Sequence, residues 1–161
     1  MRFNVAQPVI ILAVGIALAG CSIPFTVDTP KETIELPSTA GAYVETEVEI
    51  PAEARRDGVS FDRVTLSYTI RRDGLFPVDV ALYASSDTTA DHLQGDAEKL
   101  FEERIATGEN DVSGTATSDA IVTALNSAQD RFVMGAKNLS VPTDTVYVDV
   151  YVTVAGSYAP F

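Results

Sequence analysis

The sequence holds no tryptophan, one cysteine and one histidine in 161 residues. Each shortage excludes a class of protein. A single cysteine, Cys21, cannot form an intrachain disulfide, so a disulfide-stapled secreted scaffold is ruled out. Without tryptophan or a second cysteine, the cysteine–tryptophan–cysteine signature of antibody domains is also missing. A serine–histidine–aspartate site would have to use His92 as its base, and no nucleophile-elbow pattern accompanies it. One histidine and one cysteine do not complete the usual nitrogen and sulfur ligand set of zinc. Basic residues are scarce as well. Eleven lysines and arginines face 23 aspartates and glutamates, a net charge of −12, and so acidic a surface repels the phosphate backbone of nucleic acid. Glycine-rich phosphate loops and basic–aromatic stripes are absent from the chain.

What is present is a globular composition, 46% hydrophobic and 21% charged, in a length suited to one domain of moderate core. The first twenty-one residues stand apart from it. Arg2 is the sole charge before Cys21, and Pro8 precedes the apolar run Val9–Ala17, VIILAVGIA, followed by Leu18, Ala19 and Gly20. The unbroken apolar stretch is about a dozen residues long, short of the ~20 that a spanning helix needs, and it fits the hydrophobic region of an export signal.

Leu18-Ala19-Gly20-Cys21 resembles the lipobox of bacterial prolipoproteins. The resemblance covers residues 1–21 and implies a signal peptide over residues 1–20. It further implies a diacylglyceryl thioether on the Cys21 sulfur, cleavage just before that residue, and acylation of the new amino group by a fatty acid such as palmitate. Loss of Arg2 would leave a mature charge of −13. One acyl chain binds a membrane marginally, at about 0.8 kcal/mol per buried CH₂, whereas two or more hold stably. The implied location is therefore the bacterial cell envelope, lipid-anchored. Ser22, in place of the aspartate that retains many lipoproteins at the inner membrane, points to the outer membrane where the organism has one. Otherwise the outer face of the cytoplasmic membrane is implied. An acylated Cys21 also removes the cysteine nucleophile. Residues 21–30, with two prolines and no periodicity, read as a tether, and residues 31–161 as a single domain.

From Lys31 onward the dominant rhythm has period two, and the fold class it predicts is mainly β. Over 42–50, Val44, Val48 and Ile50 share one face with Thr46, while Glu45, Glu47 and Glu49 take the wet one. Val64, Leu66, Tyr68 and Ile70 alternate with polar residues, and Phe61 lies out of phase, which predicts a bulge near Asp62-Arg63. Asp73-Gly74 is a tight-turn signal, and Phe76, Val78, Val80 and Leu82 form an answering face, so residues 61–84 predict a hairpin with Pro77 at an edge or strand start. Val146, Val148, Val150, Val152 and Val154 demand a β core, since branched carbons pack well on a pleat. Phe132, Met134 and Ala136 suggest its partner at 131–137. Residues 118–128 carry a Ser118 N-cap and helical spacing of Ile121, Val122, Leu125 and Ala128. Residues 96–107 fit helix and strand alike, and the spacing of Leu100, Phe101, Arg104 and Ile105 favours a helical turn passing into a strand near Glu102. The expected architecture is an antiparallel β-sandwich, immunoglobulin-like or jelly-roll-like, with one or two short helices.

Few residues offer chemistry. Paired carboxylates meet a glycosidase separation by chance in a chain this acidic. Asp87, Asp91 and Asp96, with Gly95 in the loop 86–96, form a candidate calcium site of hard oxygen ligands, though without EF-hand spacing. The loop 109–114 adds Glu109, Asn110 and Asp111. Of the tyrosines at 43, 83, 147, 151 and 158, Tyr147 and Tyr151 share the face opposite the valines and form a candidate binding strip for a sugar or a protein. The expectation is a non-enzymatic, lipid-anchored envelope protein whose sandwich is a binding or structural module. A carbohydrate- or calcium-dependent binding domain and a small acid-dependent hydrolase are the alternatives. The expected partners are a membrane through the lipid, and an envelope protein or glycan, with no nucleic acid. No cofactor is expected beyond the lipid at Cys21, calcium being the alternative.

Overall fold

A computed structural model describes residues 23–50, 52–55, 58–89, 97–127, 129–140 and 145–158. Among the described residues nine strands make two antiparallel sheets packed as a β-sandwich. The first sheet holds β1 (Ile23–Asp28), β2 (Glu32–Leu36), β4 (Val59–Arg72), β7 (Asp111–Thr117) and β9 (Val146–Tyr158). In it β4 lies between β7 and β9, and β1 and β2 run in succession along the far side of β9. The second holds β3 (Tyr43–Glu49), β5 (Val78–Ser85), β6 (Glu98–Ile105) and β8 (Arg131–Asn138), in the order β3–β8–β5–β6.

Alternation sorts the side chains as expected. The five valines of β9 are buried at 146, 148, 150, 152 and 154, facing the same core as Val64, Leu66, Tyr68 and Ile70 of β4. The second sheet answers with Val48, Val78, Val80, Leu82, Phe132, Met134 and Ala136. Glu45, Glu47 and Glu49 are exposed along β3. The bulge also falls where the out-of-phase Phe61 places it, because the β4–β9 register shifts between Phe61 and Arg63.

Four expectations about assembly are corrected. Residues 61–84 are not a hairpin. β4 pairs with β7 and β9, whereas β5 pairs with β6 and β8, so the loop 73–77 carries the chain from one sheet to the other. Two amphipathic strands can satisfy their apolar faces side by side or face to face, and alternation is the same in both. Phe76 belongs to that loop and is 60% exposed, not part of the answering face. Similarly, 131–137 forms a strand but not a partner of β9: β8 lies in the opposite sheet, between β3 and β5.

The third correction is β6, a strand throughout. Its register with β5 shifts between Leu82 and Tyr83, which leaves Leu100 as an extra residue and inverts the phase of the strand. Leu100 and Phe101 thus both become half-buried, imitating the adjacent apolar pair of a helix face. Fourth, residues 23–28, read as part of a tether, are strand β1. β1 pairs with β9 from Ile23↔Tyr158 to Asp28↔Thr153, and β2 resumes with a one-residue offset at Glu32↔Val150. Thr29 bridges the break, its amide donating to the Val152 carbonyl and its hydroxyl accepting from the Val152 amide.

The helix α1 spans Asp119–Leu125 with Ser118 as N-cap, its hydroxyl accepting from the Ile121 amide at 3.1 Å. Ala128 of the expected helix lies outside the described residues. Glu98 of β6 completes the cap, accepting from the Ser118 hydroxyl at 2.7 Å and the Ala120 amide at 2.9 Å. With the Asp119 amide also donating to Glu98, at 3.3 Å, three of the orphan donors of the first turn are satisfied, two of them from a distant strand. At the other end Asn126 clamps the bulge. Its Oδ1 accepts from the Phe61 amide and its Nδ2 donates to the Phe61 carbonyl, both at 2.9 Å.

Candidate functional site

The outer face of the first sheet is built from the residues that alternate with the buried ones. Register aligns them in rows across the strands: Asp28, Thr153, Thr65 and Thr117, then Tyr151, Ser67 and Thr115, then Thr33, Asp149, Thr69 and Ser113. Threonine suits such a face, branched for the pleat and polar towards water. Several of these hydroxyls are engaged with neighbours. Thr69 and Ser113 lie 2.8 Å apart, and Thr153 donates to Asp28 at 2.7 Å.

Asp149 is the electrostatic centre of this face. Its Oδ1 accepts from the Thr33 hydroxyl at 2.7 Å, and its Oδ2 meets Nε and Nη2 of Arg71 at 3.1 and 2.9 Å, with Lys31 Nζ 3.5 Å from Oδ1. Burial pushes the carboxyl up, but the Thr33 hydroxyl, the Arg71 guanidinium and Lys31 together outweigh it and hold Asp149 below the usual aspartate range. Arg71 also lies over the Tyr147 ring, 5.7 Å from its centroid, a cation–π contact.

That arrangement separates the two tyrosines of the expected strip. Both are on the outer face, but Tyr147 is half-buried beneath Arg71 whereas Tyr151 is 47% exposed. The free ring is Tyr151 alone, flanked across the strands by Ser67 and then Thr115. The Asp149–Arg71–Thr33–Lys31 cluster was not read from the sequence. Its members come from β9, β4, β2 and the β1–β2 break, and no local spacing joins them.

Of the three aspartates of the expected calcium site, only Asp87 is among the described residues. Asp87 is placed, its Oδ1 accepting from the amide and hydroxyl of Thr89, both at 2.8 Å, an aspartate turn. Asp91, Asp96, Gly95 and His92 lie outside the described residues, as do Leu18, Ala19, Gly20 and Cys21. Among the described residues no three histidine, cysteine, aspartate or glutamate side chains gather as a metal group. Asp111 and Ser113, read as loop, belong to β7, and the exposed Glu109 accepts from the Ala106 amide at 3.1 Å. Buried Arg72 fastens this turn, donating to the carbonyls of Ala106 and Glu109. A narrow apolar crevice lies between the sheets at Val27, Ile50, Phe61, Phe132 and Val152.

No family model matches the chain, and no curated protein matches it. Among solved structures it is similar to the K3 adhesin domain of Lys-gingipain from Porphyromonas gingivalis W83, at 14% identity over 82% of this chain and 74% of that one, with a TM-score of 0.46. It is also similar to a Bacillus endospore appendage, at 12% identity over 88% and 96% of the two chains, with a TM-score of 0.40. A Triatoma virus capsid chain is similar at 11% identity over 84% and 91%, with a TM-score of 0.41. None of these three likenesses assigns a role to this chain.

Proposed function

We propose that this chain is a bacterial prolipoprotein whose mature form holds a β-sandwich on an envelope membrane through lipid on Cys21. The observation that carries the reading is the tetrapeptide Leu18-Ala19-Gly20-Cys21 at the end of the apolar run from Val9. It accounts for the sole cysteine of the chain, whose thiol becomes a thioether. The sandwich serves as a non-enzymatic binding or structural module. Its polar clusters support that role because they are engaged in holding strands and helix: Asp149 with Arg71 and Thr33, Glu98 with the helix N-terminus, Asn126 with the bulge.

The test is metabolic labelling with a fatty acid in cells making the protein or its Cys21→Ser variant. The parent should take up label and sediment with membranes, and the variant should lose label and accumulate as an uncleaved precursor. Normal processing and unchanged membrane attachment of Cys21→Ser would overturn the reading. A glycan partner is the second reading, favoured by the exposed Tyr151 ring among hydroxyls, since such rings stack on sugars. Tyr151→Ala should then reduce retention on insoluble polysaccharide, and unaltered retention would dismiss it.

A further inference from the structure

We infer that the end of the sandwich where Ile23, Val59 and Tyr158 meet rests on the membrane, and that the opposite end, with Leu75 and Phe76, points away from it. The inference rests on the anchor at Cys21 and adds what the sheet geometry does to that anchor. β1 is no swinging tether. It is laddered to β9 over six consecutive pairs, from Ile23↔Tyr158 to Asp28↔Thr153, and the Thr153 hydroxyl and Thr29 amide pin it further. Val59 of β4 pairs with the same Tyr158 from the other side.

Reach then decides the orientation. Only Ser22 separates Cys21 from Ile23, and two steps of extended chain cover at most about 3.6 Å each, so the lipidated residue lies within about 7 Å of the sheet end. The polar layer of a bilayer is itself about 5–7 Å thick on each side. A long flexible linker would allow the domain any attitude, whereas this one brings the end of β1 to the headgroups.

The surfaces agree with that stance. Tyr158 is 37% exposed at this end, and tyrosine suits the interface of a membrane with water. Lying flat on the second sheet would press the exposed carboxylates of Glu45, Glu47 and Glu49 into the membrane interface and strip them of water, a cost that the end-on stance avoids. β9 runs the length of the molecule from Tyr158 to Val146, roughly 40 Å at ~3.3 Å per residue. Val146 pairs with Arg72, and the loop that follows holds Leu75 and Phe76, 75% and 60% exposed. Two bare apolar side chains therefore stand at the membrane-distal tip.

The stance is tested with the lipidated protein in phosphatidylcholine vesicles carrying a nitroxide on the headgroup. Acylation occupies the Cys21 thiol, so Tyr158→Cys, Ser60→Cys and Phe76→Cys each offer one free thiol to a fluorophore. All three positions are exposed, and a melting temperature near the parent's certifies the fold of each variant. Quenching at 158 and 60 should exceed that at 76 at least fivefold. Equal quenching at both ends, or more at 76, would overturn the stance while leaving the anchor intact. A mass without diacylglyceryl on Cys21 would overturn the anchor and the stance together.

Discussion

The hydroxyl of Tyr68 donates a 2.7 Å hydrogen bond to Glu103, and the bond crosses from one sheet to the other. The Tyr68 ring leaves β4 over Gly114 of β7 and stacks on Phe101 of β6, with centroids 3.8 Å apart and planes 20° from parallel. A β-carbon at Gly114 would collide with that ring. The sandwich is thus closed along its β6–β7 side by one aromatic side chain and one missing methyl.

Gly114→Ala should therefore destabilise the domain, by about 1–3 kcal/mol, the usual result of overpacking. Chemical denaturation of the variant against Tyr68→Phe separates the two parts of the closure. Tyr68→Phe keeps the ring and loses only the hydrogen bond, a change of about 1 kcal/mol. A Gly114→Ala protein as stable as the parent would mean that the ring does not need the space.

The same tyrosine sets an alkaline limit. Burial first, then the hydrogen bond and charge of Glu103, push its hydroxyl up from 10.0 to about 12. The folded state then holds a proton that the unfolded state gives up. This contribution is whole below pH 10 and is lost as pH rises from 10 to about 12. Thermal melts across that window should show Tyr68→Phe declining less than the parent.

Asn126→Ala should cost about 2 kcal/mol, because it strips the amide and carbonyl of Phe61 of their partners at the bulge. Asn126→Asp keeps the acceptor and loses the donor, so it should fall between. Hydrogen exchange at the Phe61 amide measures the clamp directly, and unchanged protection in Asn126→Ala would contradict it.

Val150→Asp should unfold the domain. The side chain is 1% exposed among the valines of β9, and an unpaired carboxylate there costs several kcal/mol, against a typical total of about 5–15. Thr153→Asp on the outer face should be milder, though it sets a second carboxylate beside Asp28. Ser67→Asp, exposed and two residues along β4 from Thr65, is the cleaner comparison. Circular dichroism that finds Val150→Asp and Ser67→Asp equally folded would reverse the assigned faces.

Asp149→Asn should weaken the first sheet by about 1 kcal/mol, a modest figure because Arg71 and Lys31 are half in water. The folded carboxyl is held below its ordinary 3.8, so its contribution is present above that value and lost as pH falls through the lower one. Acid melts should therefore be shallower in Asp149→Asn than in the parent.

These residues also mark how far the sequence was legible. Side-chain alternation identifies faces, so the valines of β9, the inner face of β4 and the bulge after Phe61 were all readable. Pairing is a different matter. Nothing in 61–84 distinguishes a hairpin from a crossing between sheets, since both bury Val64 and Val80 alike. Leu100 disguised a strand because one inserted residue inverts the period on which the reading depends. The Ser118 cap was legible because its partner lies three residues away, and Glu98 was not, because it arrives from another strand. Tyr147 and Tyr151 looked equivalent until Arg71 was seen to lie over one of them.

The anchor at Cys21 is the claim on which function and stance both depend, and the mature N-terminal peptide tests it most directly. Intact-mass and fragment spectra of that peptide, taken from purified envelope membranes, should begin at Cys21 and carry a diacylglyceryl group on its sulfur with an acyl chain on its amino group. A peptide that begins elsewhere, or one that begins at Cys21 with a free thiol, would contradict the account.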